Sequence, residues 1–329
     1  MVTGGSHTEK HSCYSNAEEF VLMTDNSSSV CIADEDSECQ AGNESCGTIK
    51  QNKYNNNMYL VLLLAAAFLN QAYAARLAPE SAPQLSATNF KFGAFNRQSC
   101  SSSSNLLCSG AVTAGDEFLS LTPDPSPFFA SQDSNRNKVG RLLYRLPVVA
   151  WPAFVSTAFT FRIVGASNSP SGDGMTFIMA PDNSPSLEDS NGFNLGIVGQ
   201  ASTDVASDDI RQLAVELDTY KNDFDIDGNH IAVETTSVEK PLIAKSLNDS
   251  GIDLKSGKDI KIQIDYNSWT KWFEVYAAYE SDPLVKILSL QIDIAATVKN
   301  SMYVGFTAST GYFTESHQLL SWEFKSTTK

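Results

Sequence analysis

The segment VELDTYKNDFDIDGNHIAVE, residues 215–234, gathers the side chains best suited to hold a hard cation. In an extended strand Val215, Leu217 and Thr219 face one way, and Glu216, Asp218 and Tyr220 the other. Two carboxylates on one face repel each other, and a cation between them removes the repulsion. Asn222, Asp223, Asp225 and Asp227 follow in a loop that ends at His230, after which period-2 alternation resumes. Carboxylate and amide oxygens suit calcium. An imidazole among carboxylates suits a transition ion such as manganese. A lone histidine is ordinarily a satisfied core or surface residue, but His230 closes a string of spaced oxygen ligands. Beyond residue 57 the sequence holds one other histidine, His317.

Two other chemistries use similar letters. Asp223, Asp225, Asp227 and Gly228, with Glu234 closing, spell an EF-hand calcium loop. That loop needs a helix on each side, whereas both flanks here alternate with period 2. Some sugar-cleaving β-sandwiches place Glu, Asp and Glu at alternate positions of one strand, and hydrolysis with retention needs two carboxyl groups about 5 Å apart. Here the third position is Tyr220, so no enzymatic activity is expected.

The elements that must position these groups read as strands. From Asn89 to Lys325 no helical period of useful length occurs. Phe90, Phe92 and Phe95 open the series. In FVSTAFTFRIV, Phe159, Phe161 and Val164 alternate with small or polar neighbours; GMTFIMA, RQLAVELDTY and HIAVETTSV follow. DIKIQIDY puts Ile260, Ile262, Ile264 and Tyr266 on one face, and WFEVYAAY, VKILSLQIDI, SMYVGFTAS and HQLLSWEF complete the set. Clusters of Gly, Asn, Asp, Ser and Pro separate them. Many short alternating strands imply an all-β sandwich or jelly roll of antiparallel sheets.

The chain has 329 residues and a formal net charge of -15. A nucleic-acid partner, which needs a basic face, is excluded on that balance. Residues 58–74, MYLVLLLAAAFLNQAYA, hold an apolar run from Met58 to Leu69 and then Ala72-Tyr73-Ala74, with Lys50 and Lys53 just before. The run is too short to span a bilayer and reads as a cleaved signal peptide, so the mature chain would begin at Ala75, without a stable membrane span. The expected location is extracellular, in the apoplast or cell wall. Residues 1–57 are acidic and rich in Asn and Ser, and read as a disordered tail or an upstream extension; Cys13, Cys31, Cys39 and Cys46 show no CxxC spacing and receive no role. Residues 75–88 read as a short leader. In an oxidising compartment the close pair Cys100 and Cys108 reads as one disulfide, and Asn248-Asp249-Ser250 as a glycosylation sequon.

The segment VELDTYKNDFDIDGNH resembles the metal-binding stretch of the legume lectins. GRLLYRLPVVAW, FVSTAFTFRI, SGDGMTFIMAP, SMYVGFTASTG and ESHQLLSWEF resemble the strands of that family in the same order. The likeness covers 89–325 and is closest to plant L-type lectins and lectin receptor kinase ectodomains; no kinase-like segment is read after Trp322. It implies a concanavalin-like jelly-roll sandwich and a secreted carbohydrate-binding protein, with glycans or glycoproteins as partners and a homo-oligomer compatible with the sandwich.

By the resemblance, Glu216, Asp218, Asp225 and His230 bind a manganese-like ion. Asp218, the main-chain oxygen of Tyr220, Asn222 and Asp225 bind calcium. Asp173 accepts hydrogen bonds from sugar hydroxyls, Asn222 donates one, the Tyr220 ring stacks on the pyranose, and Gly192 supplies a main-chain N–H. A cis peptide is implied at Gly172–Asp173, and Tyr312 and Phe313 shape specificity. Asp223 and Asp227 are read as extra, solvated acids. A serine that reaches the transition ion through water is replaced by Lys240, and the glycine loop SNGFNLGIVG is irregular. These departures motivate an alternative, a lectin-like defence or storage protein without sugar binding; a glycoside hydrolase on a related sandwich is the third reading.

Overall fold

The computed structural model of the chain describes residues 23–24, 27–28, 88–124, 132–149, 151–165, 170–187, 189–199, 212–235, 237–299 and 301–327. Two compact units divide the chain, Met1–Pro79 and Glu80–Lys329. In the first, β1 (Met23–Thr24) pairs with β2 (Ser27–Ser28). The expectations for the rest of 1–57, for the signal peptide 58–74 and for 75–87 fall outside the described residues. Among the described residues no helix is long and apolar enough to cross a membrane.

The second unit is built from two antiparallel sheets. One holds β4 (Leu106–Gly110), β7 (Val139–Tyr144), β8 (Val148–Val149), β10 (Gly174–Ala180), β11 (Leu213–Asp218), β12 (His230–Glu234), β13 (Ile243–Ser246) and β17 (Ser301–Ser309). Its strand order is β13-β12-β11-β10-β17-β7-β4, with β8 on β17. The other holds β3 (Asn89–Phe92), β5 (Thr113–Ala114), β6 (Leu119–Ser120), β9 (Phe154–Gly165), β14 (Ile260–Asn267), β15 (Trp272–Tyr279), β16 (Val285–Gln291) and β18 (Glu315–Thr327). Its order is β16-β15-β14-β9-β18-β6-β5, with β3 on β18. The antiparallel sandwich expected from the alternation is what forms.

The core lies between the sheets. Phe159 of β9 packs on Phe177 of β10 and Phe306 of β17, with ring centres 6.2 and 4.8 Å apart. Strand β14 buries Ile260, Ile262, Ile264 and Tyr266 and leaves the residues between them half-buried, as period 2 requires. In β9 the inward phase is Phe159, Phe161 and Ile163. The expected continuation through Val164 is therefore corrected, because an odd offset turns that side chain to the other face. Strand β18 has a bulge between Leu319 and Ser321, which lets Leu319, Trp322 and Phe324 all reach the core. Cys100 and Cys108 form the expected disulfide, with Cα atoms 5.5 Å apart.

Trp322 is fully buried; its Nε1–H donates to Thr157 Oγ1 at 3.0 Å, and its ring lies 4.8 Å from Phe90 and 5.0 Å from Phe306. Trp322→Ala is expected to destabilise the domain by about 3–5 kcal/mol. Urea denaturation would show this as a lower midpoint at unchanged slope; a loss below about 1 kcal/mol would contradict the packing described.

Strands β10, β11 and β12 are buried on both faces. Their inward face carries Met175, Phe177, Leu213, Val215, Leu217, Ile231 and Val233. Their outward face is just as inaccessible and carries the polar Thr176, Glu216, Asp218, His230 and Glu234 beside a small apolar cluster of Ile178 and Ala180 with Leu143 of β7.

Candidate functional site

The registers Asp218↔His230, Glu216↔Ala232 and Ala214↔Glu234 place Asp218, Glu216, His230 and Glu234 on one face of two paired strands. The His230 Nε2 atom lies 3.8 Å from Glu216 Oε2, and its Nδ1 lies 3.9 Å from Asp218 Oδ1. Asp225, from the loop between the strands, completes a group with Asp218 and His230 whose ligand atoms lie within 4.8 Å of one another. Local hydrogen bonds shape that loop. The Tyr220 N–H donates to Asp218 Oδ1 at 2.9 Å, and the Asn222 N–H to Asp225 Oδ2 at 2.7 Å. His230 Nδ1 sits 2.8 Å from the Asp227 carbonyl. With its proton on Nδ1 donated there, the ring presents the Nε2 lone pair towards Glu216, the usual way a backbone acceptor orients a ligating imidazole.

Asp227 is thus more than the solvated acid expected. Its carbonyl orients His230, and its carboxylate accepts from the Asn229 N–H at 2.9 Å and from Asn248 Nδ2 at 3.2 Å. Asp223 and Lys240 are exposed, and Asn248 is exposed at the start of a short helical turn.

In the sequence Glu234 stands out only as the last letter of an EF-hand pattern. It is 2% exposed, and no hydrogen-bond donor reaches either carboxylate oxygen. The available signal was its spacing: in a strand it lies an even four residues beyond His230 and so shares its face.

The electrostatics follow from burial. Desolvation, reinforced by Glu216 and Asp225, pushes Asp218 up to about 10. Desolvation, then the Glu216 charge, pushes Glu234 up to about 11. Half-buried Asp225 is also raised by desolvation. Burial alone would pull His230 down, but the Glu216 carboxylate outweighs it and leaves it raised. Several carboxylates taken out of water demand a countercharge, and among the described residues no Lys or Arg makes an ion pair with them. The Asn222 Oδ1 atom is also buried without a partner. A carboxylate–imidazole donor set with unfilled oxygens fits divalent cations.

Next to this cluster is Asp173. The Gly172–Asp173 peptide is cis, as the resemblance implied. Asp173 is held at the main chain: its N–H donates to the Ser309 carbonyl at 3.2 Å, and its carbonyl accepts from the Thr219 N–H at 3.0 Å. Its Oδ2 is buried without a partner. Burial, then the Glu315 charge, raises Asp173 to about 7 against a bond from the Gly311 N–H. A Cβ on Gly311 would stand 2.8 Å from Asp173 Oδ2 and 3.2 Å from the Gly192 Cα, so the loops can converge here only on glycine. The Gly192 N–H, expected as a sugar donor, is engaged by the Thr310 carbonyl at 3.2 Å. Gly192 also packs closely against Gly311 at this convergence.

Aromatic rings border the region. The Tyr220 ring is 5.4 Å from Phe313, Phe313 is 5.2 Å from Tyr312, and the Arg136 guanidinium stands 4.1 Å over the exposed Tyr312 ring. Phe224, in the loop between β11 and β12, meets Phe193 at 5.7 Å.

A second unanticipated feature is a buried network. Glu315 accepts from Thr219 Oγ1 and lies 2.9 Å from His317 Nε2, and His317 Nδ1 is 2.7 Å from Thr122 Oγ1. It ties the residue between Asp218 and Tyr220 to β18. The i, i+2 pairing of Glu315 and His317 in a strand was the signal, but alternation alone does not say which face is covered.

Comparison with known proteins bears on this arrangement. The family model described as "Legume lectin domain" matches residues 87–329. The probable L-type lectin-domain containing receptor kinase S.5 of Arabidopsis thaliana is 33% identical over 196 residues, 57% of this chain and 29% of that protein. The chain therefore spans less than a third of that relative. Among solved structures, the winged bean acidic lectin complexed with methyl-alpha-D-galactose is 28% identical with a TM-score of 0.62, covering 74% of this chain and 99% of its own. Arcelin-5, a lectin-like defense protein from Phaseolus vulgaris, is 26% identical with a TM-score of 0.60, covering 74% and 100%.

Proposed function

The chain belongs to the legume lectin family, and from that premise we propose that it is a secreted carbohydrate-binding lectin whose sugar site is held in shape by bound calcium and a transition ion such as manganese. The observation that carries this reading is the juxtaposition of a buried acidic cluster without a basic partner and a buried, half-satisfied acceptor, Asp173. Glu216, Asp218, Asp225 and His230 would hold the transition ion. Asp218, the Tyr220 carbonyl, Asn222 and Asp225 would hold calcium. When bound, the ions supply countercharge to the carboxylates and rigidity to the loop.

The chain's own groups do the recognition. Asp173, fixed at its main chain by Ser309 and Thr219, offers its buried carboxylate, with Oδ2 unpartnered, to accept from sugar hydroxyls. The Asn222 side-chain amide donates to the sugar, and the Tyr220 ring covers an apolar face of a pyranose. Tyr312 and Phe313 border this position and set which hexose fits. The galactoside carried by the winged bean relative makes hexopyranosides the first probes. Glu216 and Asp218 are buried, which weighs against glycoside hydrolysis, since both carboxyl groups would have to reach a scissile bond. The disulfide and the sequon at Asn248 support passage through an oxidising, glycosylating compartment.

One observation favours a second reading, a lectin-like defence or storage protein: the Gly192 N–H is committed to Thr310 and unavailable to a sugar. A glycan array probed with the full chain, with calcium and manganese and again after chelation, separates the readings. Sugar binding lost on chelation is the expected result. Binding unaffected by metal removal would overturn the metal-held site, and no binding to any glycan would favour the second reading.

A further inference from the structure

On the outward face of the first sheet, strand β7 carries Arg141, whose register partner is Thr307 of β17. Two strands, β17 and β10, separate β7 from β11, which puts it about 14 Å from the metal strand at the ordinary strand spacing. Arg141 is only 7% exposed. Its Nε is buried without a hydrogen-bond partner, and among the described residues its guanidinium makes no ion pair or hydrogen bond. The acid that acts on it, Asp182, is exposed and beyond ion-pair distance.

A buried guanidinium normally has a carboxylate or carbonyl to receive its fork of donors. Here Arg141 lines a cavity of about 460 Å³ instead. Lys138 and Asn137 line it with polar groups, and Val139, Pro185 and Leu187 supply apolar walls. Leu187 is 60% exposed at this position. Cation and walls together define the ligand. The planar fork matches a carboxylate in two parallel hydrogen bonds, and the walls match a small hydrocarbon body.

We propose that this cavity is a binding site for a small monocarboxylate with an apolar body, separate from the sugar site. The Arg141 guanidinium receives the carboxylate, Lys138 adds a second positive charge, and Val139, Pro185 and Leu187 pack on the body. The site is independent of the lectin reading, since none of these residues is a metal ligand or a proposed sugar contact.

Calorimetric titration of the full chain with benzoate tests it, with benzamide as the neutral isostere and inorganic phosphate as the competing anion class. Saturable benzoate binding is expected, with benzamide and phosphate each at least about tenfold weaker, because only a carboxylate matches the fork. Arg141→Met is expected to lose benzoate binding by at least about tenfold while its sugar binding stays unchanged, since it removes charge and fork at similar volume. Should that variant fail to fold, Arg141→Lys keeps the charge without the fork and is expected to bind at least about fivefold more weakly. Equal binding of benzamide, tighter binding of phosphate, no saturable benzoate binding, or wild-type affinity in either folded variant would overturn the proposal.

Discussion

Removing divalent cations with a chelator is expected to lower the thermal midpoint of this protein by about 5–10 °C at neutral pH, and by clearly less at pH 5. A ligand at about a hundred times its dissociation constant stabilises the folded state by about 2.7 kcal/mol. A domain of this size shifts by about 2–4 °C per kcal/mol. The pH dependence comes from Asp218 and Glu234, which burial raises to about 10 and about 11 in the metal-free fold. Unfolded, both would titrate near 4. A carboxyl raised in the folded state favours folding fully below its unfolded pKa, and that contribution is lost as pH rises towards the folded pKa. The metal-free protein therefore weakens progressively from about pH 4 upward as these groups resist ionising. The metal-bound protein escapes this, because the ions stabilise the ionised carboxylates, and ligand protonation at low pH weakens metal binding in the same sense. The gap between bound and chelated protein should widen from pH 5 to 7.5. Differential scanning calorimetry with and without chelator at both values reads it directly. A gap that is absent, or larger at pH 5, would remove the acidic cluster as a metal site.

Replacing Asp173 by Asn is expected to weaken hexopyranoside binding at least about a hundredfold while leaving the midpoint unchanged or slightly raised. The variant keeps the shape of the side chain but removes its charge and replaces one acceptor oxygen with a donor, where Oδ2 is buried without a partner. Two hydrogen bonds from sugar hydroxyls to a charged acceptor contribute about 1.5–3 kcal/mol each, and a tenfold change in affinity corresponds to about 1.4 kcal/mol. Stability moves the other way, because desolvation has already pushed Asp173 to about 7, so the neutral amide removes an unfavourable buried charge. Titration with the best array ligand, alongside metal content by elemental analysis, isolates the effect. Wild-type affinity in Asp173→Asn at full metal occupancy would place the sugar elsewhere.

The antiparallel sandwich, the disulfide and the shared face of Glu216 and Asp218 are all written in short-range pattern. Period 2 is a steric property of the extended backbone, so Ile260, Ile262, Ile264 and Tyr266 announce their shared face without reference to any partner. Glu216, Asp218 and His230 are legible for the same reason, being two strand positions and a loop end within fifteen residues. The one slip of phase, Val164 for Ile163, came from reading hydrophobicity where the strict alternation of β9 had to decide.

Other features rest on contacts between distant segments. Glu234 becomes part of the acidic cluster because β12 pairs with β11 in one register and not the next. The Gly192 N–H meets the carbonyl of Thr310, more than a hundred residues away, a contact that no local pattern announces. Glu315 reaches Thr219, and the Arg141 Nε is buried beside a cavity without a hydrogen-bond partner among the described residues, because segments distant in sequence cover the outward face of a sheet whose pattern would equally suit water. Alternation says that a side chain leaves the core face; whether solvent or another segment waits there is a long-range outcome of packing. That outcome is what buries Glu216, Asp218, His230 and Glu234 together on the outward face of the sheet.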